Sequence, residues 1–334
     1  MIETYALIAA FAAFAIAFIG CGILQRTLRA RAIMDQPNAR SSHLAPTPRG
    51  GGIAVVAGLL AAGGAIAFRQ ADGGLVGVLA LAALLAAVSW LDDLHTLSAL
   101  PRLVLHVVTV CLGLTALPDE GLVFQGLLPV WLDLTLSAFL WIWFLNLFNF
   151  MDGIDGITGT ETIAIGLGLA LFASGTTGAM GVVAIGVMTG FLGWNKPPAR
   201  LFLGDVGSVP LGYILGWLLL SLAASGQWAI ALLLPLYYLA DATITLIRRL
   251  LKAEKIWQAH RQHYYQQAVR AAEGEDEQSR ARAHWKINGA IWLCNLVLLA
   301  AAWAVFSDPA RTLAALVIGA LAVAGLLWYF ASRT

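Results

Sequence analysis

Charge is what this chain has least of. Only 12% of its 334 residues are Asp, Glu, Lys or Arg, against 60% hydrophobic, and the mean hydropathy is +0.79. No water-soluble domain of this length could cover so apolar a composition with polar surface, which excludes that class. Cysteine is scarce too. Cys21, Cys111 and Cys294 are far apart and fall inside apolar runs, which excludes a zinc pattern and a disulfide framework and leaves small packing residues. No repeat of 20–50 residues and no disordered linker divides the chain; its one long polar stretch is 248–286. The formal net charge of +1 says nothing about nucleic acid; the basic residues are explained by membrane insertion, and no nucleic-acid partner is expected.

What is present is a series of apolar runs of about 17–25 residues, the length a helix needs to cross a bilayer. They lie at about 4–24, 51–68, 74–91, 101–117, 130–148, 160–175, 177–194, 208–224, 227–247, 287–306 and 311–330. The expected fold is all-α: a single polytopic integral membrane domain over 1–334 with about 11 transmembrane helices, or 10 if 160–194 divides differently. Glu3 and the lack of Lys or Arg before the first span mark it as a retained helix rather than a cleaved leader. With the N-terminus periplasmic, 18 of the 20 Lys and Arg residues fall in cytoplasmic connections, and only Arg69 and Arg311 do not. The cytoplasmic loops are then about 25–50, 92–101, 149–159, 195–207 and 248–286, in a bacterial inner membrane.

That orientation gathers the acids. Asp92-Asp93, Asp152 with Asp155, and Asp205 each end an apolar run, and all fall on the cytoplasmic side, whereas the external acids are scattered. Acids at the margin of hydrocarbon are functional candidates, because ionised groups there are costly. Taken singly, an Asp in a glycine-rich turn is as well explained by an Asx-turn or a helix cap. Three such loops on one face fit one site better. Hard cations such as Mg²⁺ take oxygen ligands, usually one or two carboxylates plus water and phosphate oxygens. The segment from Asn146 through Asn149, Asp152 and Asp155 to Gly159 offers amides and carboxylates among glycines that let the backbone approach a phosphate. Asp205 sits between glycines before a helix that Ser208 is expected to cap. Arg49, after Pro46 and Pro48 and before Gly50 to Gly52, is a candidate phosphate ligand. His260 and His263 share a helical face with Arg261 nearby. Without a metalloprotease Glu they suit a phosphate or sugar better than zinc. Arg248, Arg249, Lys252 and Lys255 read as lipid-headgroup contacts, and Trp257, Tyr264 and Tyr265 as interfacial anchors. A rival class is the ion-coupled transporter, whose acids sit near mid-membrane; only Asp241 lies inside a span.

Asp92-Asp93, the run Asn149-Phe150-Met151-Asp152-Gly153-Ile154-Asp155-Gly156, the run Phe202-Leu203-Gly204-Asp205-Val206-Gly207-Ser208, and His260-Arg261-Gln262-His263 occur in one order over about residues 40–266. Together they resemble the polyprenyl-phosphate N-acetylhexosamine-1-phosphate transferases (glycosyltransferase family 4). Within them the chain is more similar to the branch that initiates bacterial O-antigen than to the peptidoglycan branch, whose last loop carries three consecutive histidines. The resemblance implies transfer of a sugar-1-phosphate from a UDP-N-acetylaminosugar to undecaprenyl phosphate, with Mg²⁺ as cofactor and Mn²⁺ able to substitute. It implies Asp205, with Asp93, as metal ligands. Asp92 and Asp93 would act at the lipid phosphate, and Asn149, Asp152 and Asp155 would shape the nucleotide and diphosphate pocket. Phe202 would stack on uracil, and His260, Arg261 and His263 would meet the sugar and diphosphate; Asp241 receives no role. Membrane lipid is the remaining partner, and a homodimer through the spans is compatible with this reading.

Overall fold

The structure is a computed structural model that describes residues 3–37, 45–95, 97–117, 122–255, 260–274 and 276–333. The external acids Asp119 and Glu120, and Trp257 in the last large loop, lie outside the described residues. Among the described residues the protein is all-α apart from one two-stranded antiparallel pair, β1 (Met34–Asp35) with β2 (Thr47–Pro48). The helices in chain order are α1 (Thr4–Ala30), α2 (Gly52–Gln70), α3 (Gly73–His95), α4 (Ala99–Leu114), α5 (Val130–Phe150), α6 (Ile157–Phe172) and α7 (Gly175–Asn195). They continue with α8 (Asp205–Leu222), α9 (Trp228–Leu233), α10 (Leu236–Leu251), α11 (Tyr264–Ala272), α12 (Glu277–Ser307) and α13 (Thr312–Ala331).

Among the described residues, eight helical stretches are long and apolar enough to cross a membrane, and α4 and α6 are shorter apolar helices. The expected span at 227–247 is not one helix. A π-helical turn, Ala223–Gln227, follows α8, and Gly226 within it takes φ +90°. After α9, Pro235 separates Leu233 from the start of α10, because proline cannot donate to the preceding turn. The resulting α10 is amphipathic in an inverted sense. Asp241, Thr245 and Arg249, four apart, are buried, while Ile244, Ile247, Leu250 and Leu251 on the other face are exposed.

Helix α8 is the axis of the bundle, buried along its length and packed against α3 and α5. Its start is joined to the start of α2. Gly50 and Gly51 N–H donate to Phe202 O (3.1 and 2.8 Å), Gly52 N–H donates to Leu203 O (2.8 Å), and Phe202 N–H donates to Pro48 O (2.9 Å). The two helix ends approach so closely that a Cβ on Gly52 would collide with Gly207 Cα and N. This contact brings Arg49 against the 202–205 segment.

The contact predicts a contrast. Gly52→Ala should destabilise the protein by about 3 kcal/mol, since backbone atoms on both sides cannot give way. Gly64→Ala, in the same helix with nothing within 4 Å of a new Cβ, should be neutral or stabilising by up to about 1 kcal/mol. Thermal unfolding of the two detergent-solubilised variants checks this, and equal melting temperatures would contradict it.

Candidate active site

At the end of the bundle where α2, α3 and α8 meet, carboxylates and guanidinium groups alternate. Arg49 Nη2 lies 2.7 Å from Asp93 Oδ1 and 2.7 Å from Asp205 Oδ1. Arg102 Nη1 lies 2.6 Å from Asp92 Oδ2 and 3.6 Å from Asp205 Oδ2. Asp205 is thus shared by two arginines and remains the most open of the acids, at 20% side-chain exposure against 3% for Asp93. Burial opposes the charge on Arg49, but Asp205, Asp93, Asp35 and Asp152 together hold its pKa above the ordinary arginine value.

Asp93 does more than pair with Arg49. Its carboxylate accepts from Asp205 N–H (3.2 Å) and Val206 N–H (3.0 Å), the first two amides of α8. Those amides have no partner within their own helix, so an acid from α3 caps α8. Ser208, expected to cap this helix, instead lies inside its first turn and donates to Gly204 O (3.2 Å) and Asn149 Oδ1 (2.5 Å). Gly204, at φ +78°, leaves room for Asp93; a Cβ there would sit 2.7 Å from Asp93 Oδ2. Asp92 closes the α3–α4 connection by accepting from Leu97 N–H at 2.5 Å while holding Arg102.

The central loop faces two ways. Asp152 Oδ1 accepts from Thr158 Oγ1 (2.6 Å) and lies within electrostatic range of Arg49, Asp205 and Asp93. Burial pushes the Asp152 carboxyl up to about 6, and the Thr158 hydrogen bond and Arg49 pull the other way. Asp155 points elsewhere: Oδ2 accepts from Ala199 N–H (2.9 Å) and lies 3.2 Å from His284 Nδ1. Asp155, His284, Phe202 and Arg280 line a small cavity of about 30 Å³. Phe202 is half-buried, its backbone tied to residues 48–51. Asn149, half-buried at the end of α5, meets the cluster through Ser208. Asn146, one turn earlier, donates to Ile142 O (2.7 Å) within its own helix.

The histidine loop is held by α10. His263 is buried, its Nδ1 lying 3.5 Å from Asp241 Oδ1, and its ring is 4.7 Å from that of His260. His260 is the half-exposed member of the pair. Burial, then the neighbouring His263 and Arg249, lower the His260 pKa to about 4, so its ring is neutral at physiological pH and acts by hydrogen bonding rather than charge. Arg261 is half-buried, and its carbonyl accepts from Arg270 Nη2 (3.2 Å). Two expectations fail here. Arg249 is 5% exposed and binds Glu254 Oε2 (2.8 Å), so it is turned into the protein rather than toward lipid headgroups. Tyr265 is fully buried, with its hydroxyl on Phe150 O (3.4 Å), so it joins α11 to the central loop and is no interfacial anchor.

The model of glycosyl transferase family 4 matches residues 75–223, from α3 to just beyond the end of α8. That stretch carries Asp92, Asp93, Asp152, Asp155 and Asp205, the acids whose geometry is given above. Over those residues the chain is similar to glycosyl transferase family 4. Among curated relatives, the chain is 28% identical over 254 residues (70% of this chain, 68% of the relative) to a probable undecaprenyl-phosphate N-acetylglucosaminyl 1-phosphate transferase of Bacillus subtilis. It is 28% identical over 260 residues (72% and 70%) to the undecaprenyl-phosphate alpha-N-acetylglucosaminyl 1-phosphate transferase of Escherichia coli K12. It is also 28% identical over 331 residues (87% and 91%) to a phospho-N-acetylmuramoyl-pentapeptide-transferase of Synechococcus.

A hard cation fits the donor set of this site. Two anionic oxygens, from Asp93 and Asp205, already converge on one positive centre at 2.7 Å each. Among the described residues no three His, Cys, Asp or Glu side chains gather as a metal cluster. A cation that keeps waters and binds substrate phosphates needs only one or two carboxylates. Sequence reading missed Arg102, taken only as a topology signal, although it falls ten residues after Asp92 on the same face. It also missed Thr158 and His284, and Asn195, whose side chain ties Gly156 N–H (2.9 Å) to Leu201 O (3.0 Å). Nothing in the local sequence marks His284 or Asn195, whose partners Asp155 and Gly156 come from remote segments; Thr158 lies only six residues after its partner Asp152.

The Asp93 cap is testable by itself. Asp93→Asn replaces an acceptor of two amides and a guanidinium with a group that also presents donors, and should cost about 2 kcal/mol. Amide exchange at Asp205 and Val206 should accelerate with it; exchange there matching the parent protein would contradict the cap.

Proposed function

We propose that this protein transfers an N-acetylaminosugar-1-phosphate from a UDP-sugar to undecaprenyl phosphate, giving undecaprenyl-diphospho-sugar and UMP. The reaction runs at the cytoplasmic face of the bacterial inner membrane and initiates an O-antigen or a related envelope polysaccharide. The observation that carries this reading is the alternation of Arg49 and Arg102 with Asp92, Asp93 and Asp205. Two polyanionic substrates repel each other, and a site that joins them needs fixed cations for phosphate beside carboxylates for a metal.

In this reading a phosphate oxygen of the lipid attacks the β-phosphorus of the UDP-sugar. The new P–O bond forms as the bond to the UMP oxygen breaks, and UMP leaves with the electron pair. Arg49 and Arg102 hold the phosphates in line. Both Asp92 oxygens are engaged, by Leu97 N–H and Arg102, so Asp92 orients the acceptor through Arg102. Mg²⁺, when bound to Asp205 and Asp93, supplies neutralisation of the diphosphate charge. Asn146, Asn149, Asp152 and Asp155 shape the donor side, Phe202 offers a face for the base, and His260 and Arg261 offer contacts to the sugar and diphosphate. The His260-Arg261-Gln262-His263 spacing supports the O-antigen branch. An ion-coupled transporter finds less support, because the buried acid Asp241 is already engaged through both oxygens by backbone amides.

Asp205→Asn should abolish Mg²⁺-dependent UMP release from the UDP-sugar, by at least about 10²-fold; activity within a few-fold of the parent would overturn the metal assignment. The Asp152 carboxyl is neutral below about 6 and ionised above it. With the ionised form active, kcat/KM should rise with pH through about 6, falling about tenfold per unit below it. Thr158→Val removes a hydrogen bond that favours the carboxylate, so this limb should move to higher pH. A limb near the ordinary aspartate range, unmoved by the substitution, would contradict the assignment.

A further inference from the structure

We infer that Asp241 is a positioning residue for the transfer reaction: from inside α10 it caps α11 and thereby fixes the His260–His263 loop against the central loop. The functional half of this inference rests on the proposed transferase activity.

Asp241 is fully buried, yet its carboxylate is surrounded by donors. Oδ1 accepts from Tyr264 N–H (2.9 Å) and Thr245 Oγ1 (3.4 Å), and Oδ2 from Tyr265 N–H (3.2 Å) and Tyr237 Oη (3.2 Å). Tyr264 and Tyr265 are the first two residues of α11, whose own N-cap, His263, makes no side-chain capping bond. A carboxylate 23 residues upstream therefore supplies the cap. The same carboxylate stands 3.5 Å from His263 Nδ1, and the His263 ring lies between Tyr265 (5.9 Å) and His260 (4.7 Å). Helix α10 also holds the front of the loop. Arg249, two turns after Asp241 on the same face, binds Glu254 Oε2, which accepts from Gln262 Nε2 (2.8 Å). The His260–His263 segment is thus clamped to α10 from both sides, leaving His260 half-exposed. Tyr265 continues the chain of contacts to Phe150 O, beside Asp152. A buried charge in this position is justified only by such multiple donors, and losing it releases the loop.

The experiment uses the full chain in detergent with Asp241→Asn, Tyr237→Phe, His260→Ala and the Asp241→Asn/His260→Ala double variant. Amide exchange over 260–272 should accelerate at least about tenfold in Asp241→Asn while α3 and α8 peptides keep the parent rate. The kcat/KM for UMP release should fall about 10²-fold, and the double variant should be no worse than His260→Ala alone, because both act on one element. Unchanged exchange in 260–272, or losses that multiply in the double variant, overturns the inference. If Asp241→Asn does not accumulate, Tyr237→Phe decides: it removes one donor at constant shape and should raise exchange in the same segment, and parent-like exchange counts against the cap. A parent protein that releases no UMP from any UDP-sugar sinks the transferase reading instead, and the exchange result still judges the cap.

Discussion

A helix that begins against neighbouring helices presents backbone N–H groups with no partner in their own turn, and packing keeps water from satisfying them. In this protein acids on neighbouring helices accept those groups. Asp93 of α3 takes the first amides of α8, and Asp241 of α10 takes those of α11. Each bond of this type contributes about 0.5–2 kcal/mol. Their larger effect is geometric, because they set where each helix starts and so where its first side chains point.

The arrangement of the site follows from those starting points. Capping by Asp93 places Asp205 as the first residue of α8, between Arg49 and Arg102. The stitching of residues 48–52 to residues 202–203 holds Arg49 there. Pro235 interrupts the helical path so that α10 can turn an acidic and basic face inward, and that face grips the histidine loop. Among the three acids that meet Arg49 and Arg102, Asp92 and Asp93 are the more buried and Asp205 the most open.

Much of this was legible in the sequence. Apolar run lengths gave the membrane spans, and the asymmetry of Lys and Arg gathered Asp92, Asp93, Asp152, Asp155 and Asp205 at one end, where the structure brings Asp92, Asp93 and Asp205 onto two shared arginines. Two readings of those acids, helix cap and ligand, looked like alternatives. Asp93 is a cap whose helix lies 112 residues further along the chain, a distance no local pattern can express. The same holds for Asp241, whose apolar neighbours in sequence concealed polar partners in space. The broken span at 227–247 was hidden because Pro235 sits inside an otherwise continuous apolar run. Arg249 was misread because a cation at a span end is ordinarily a topology signal, and only the fold shows it buried.

In the proposed reaction a lipid phosphate and a nucleotide diphosphate meet at the Arg49, Arg102 and Asp205 cluster for one displacement. The most direct test supplies membranes containing the protein with Mg²⁺ and a panel of UDP-N-acetylaminosugars, with and without undecaprenyl phosphate, and follows radiolabelled UMP. The account predicts that UMP is released with at least one donor only when the lipid phosphate is present, in equal amount to undecaprenyl-diphospho-sugar. Exchange of labelled UMP into the UDP-sugar without lipid phosphate would contradict it, since that requires an intermediate on the protein itself.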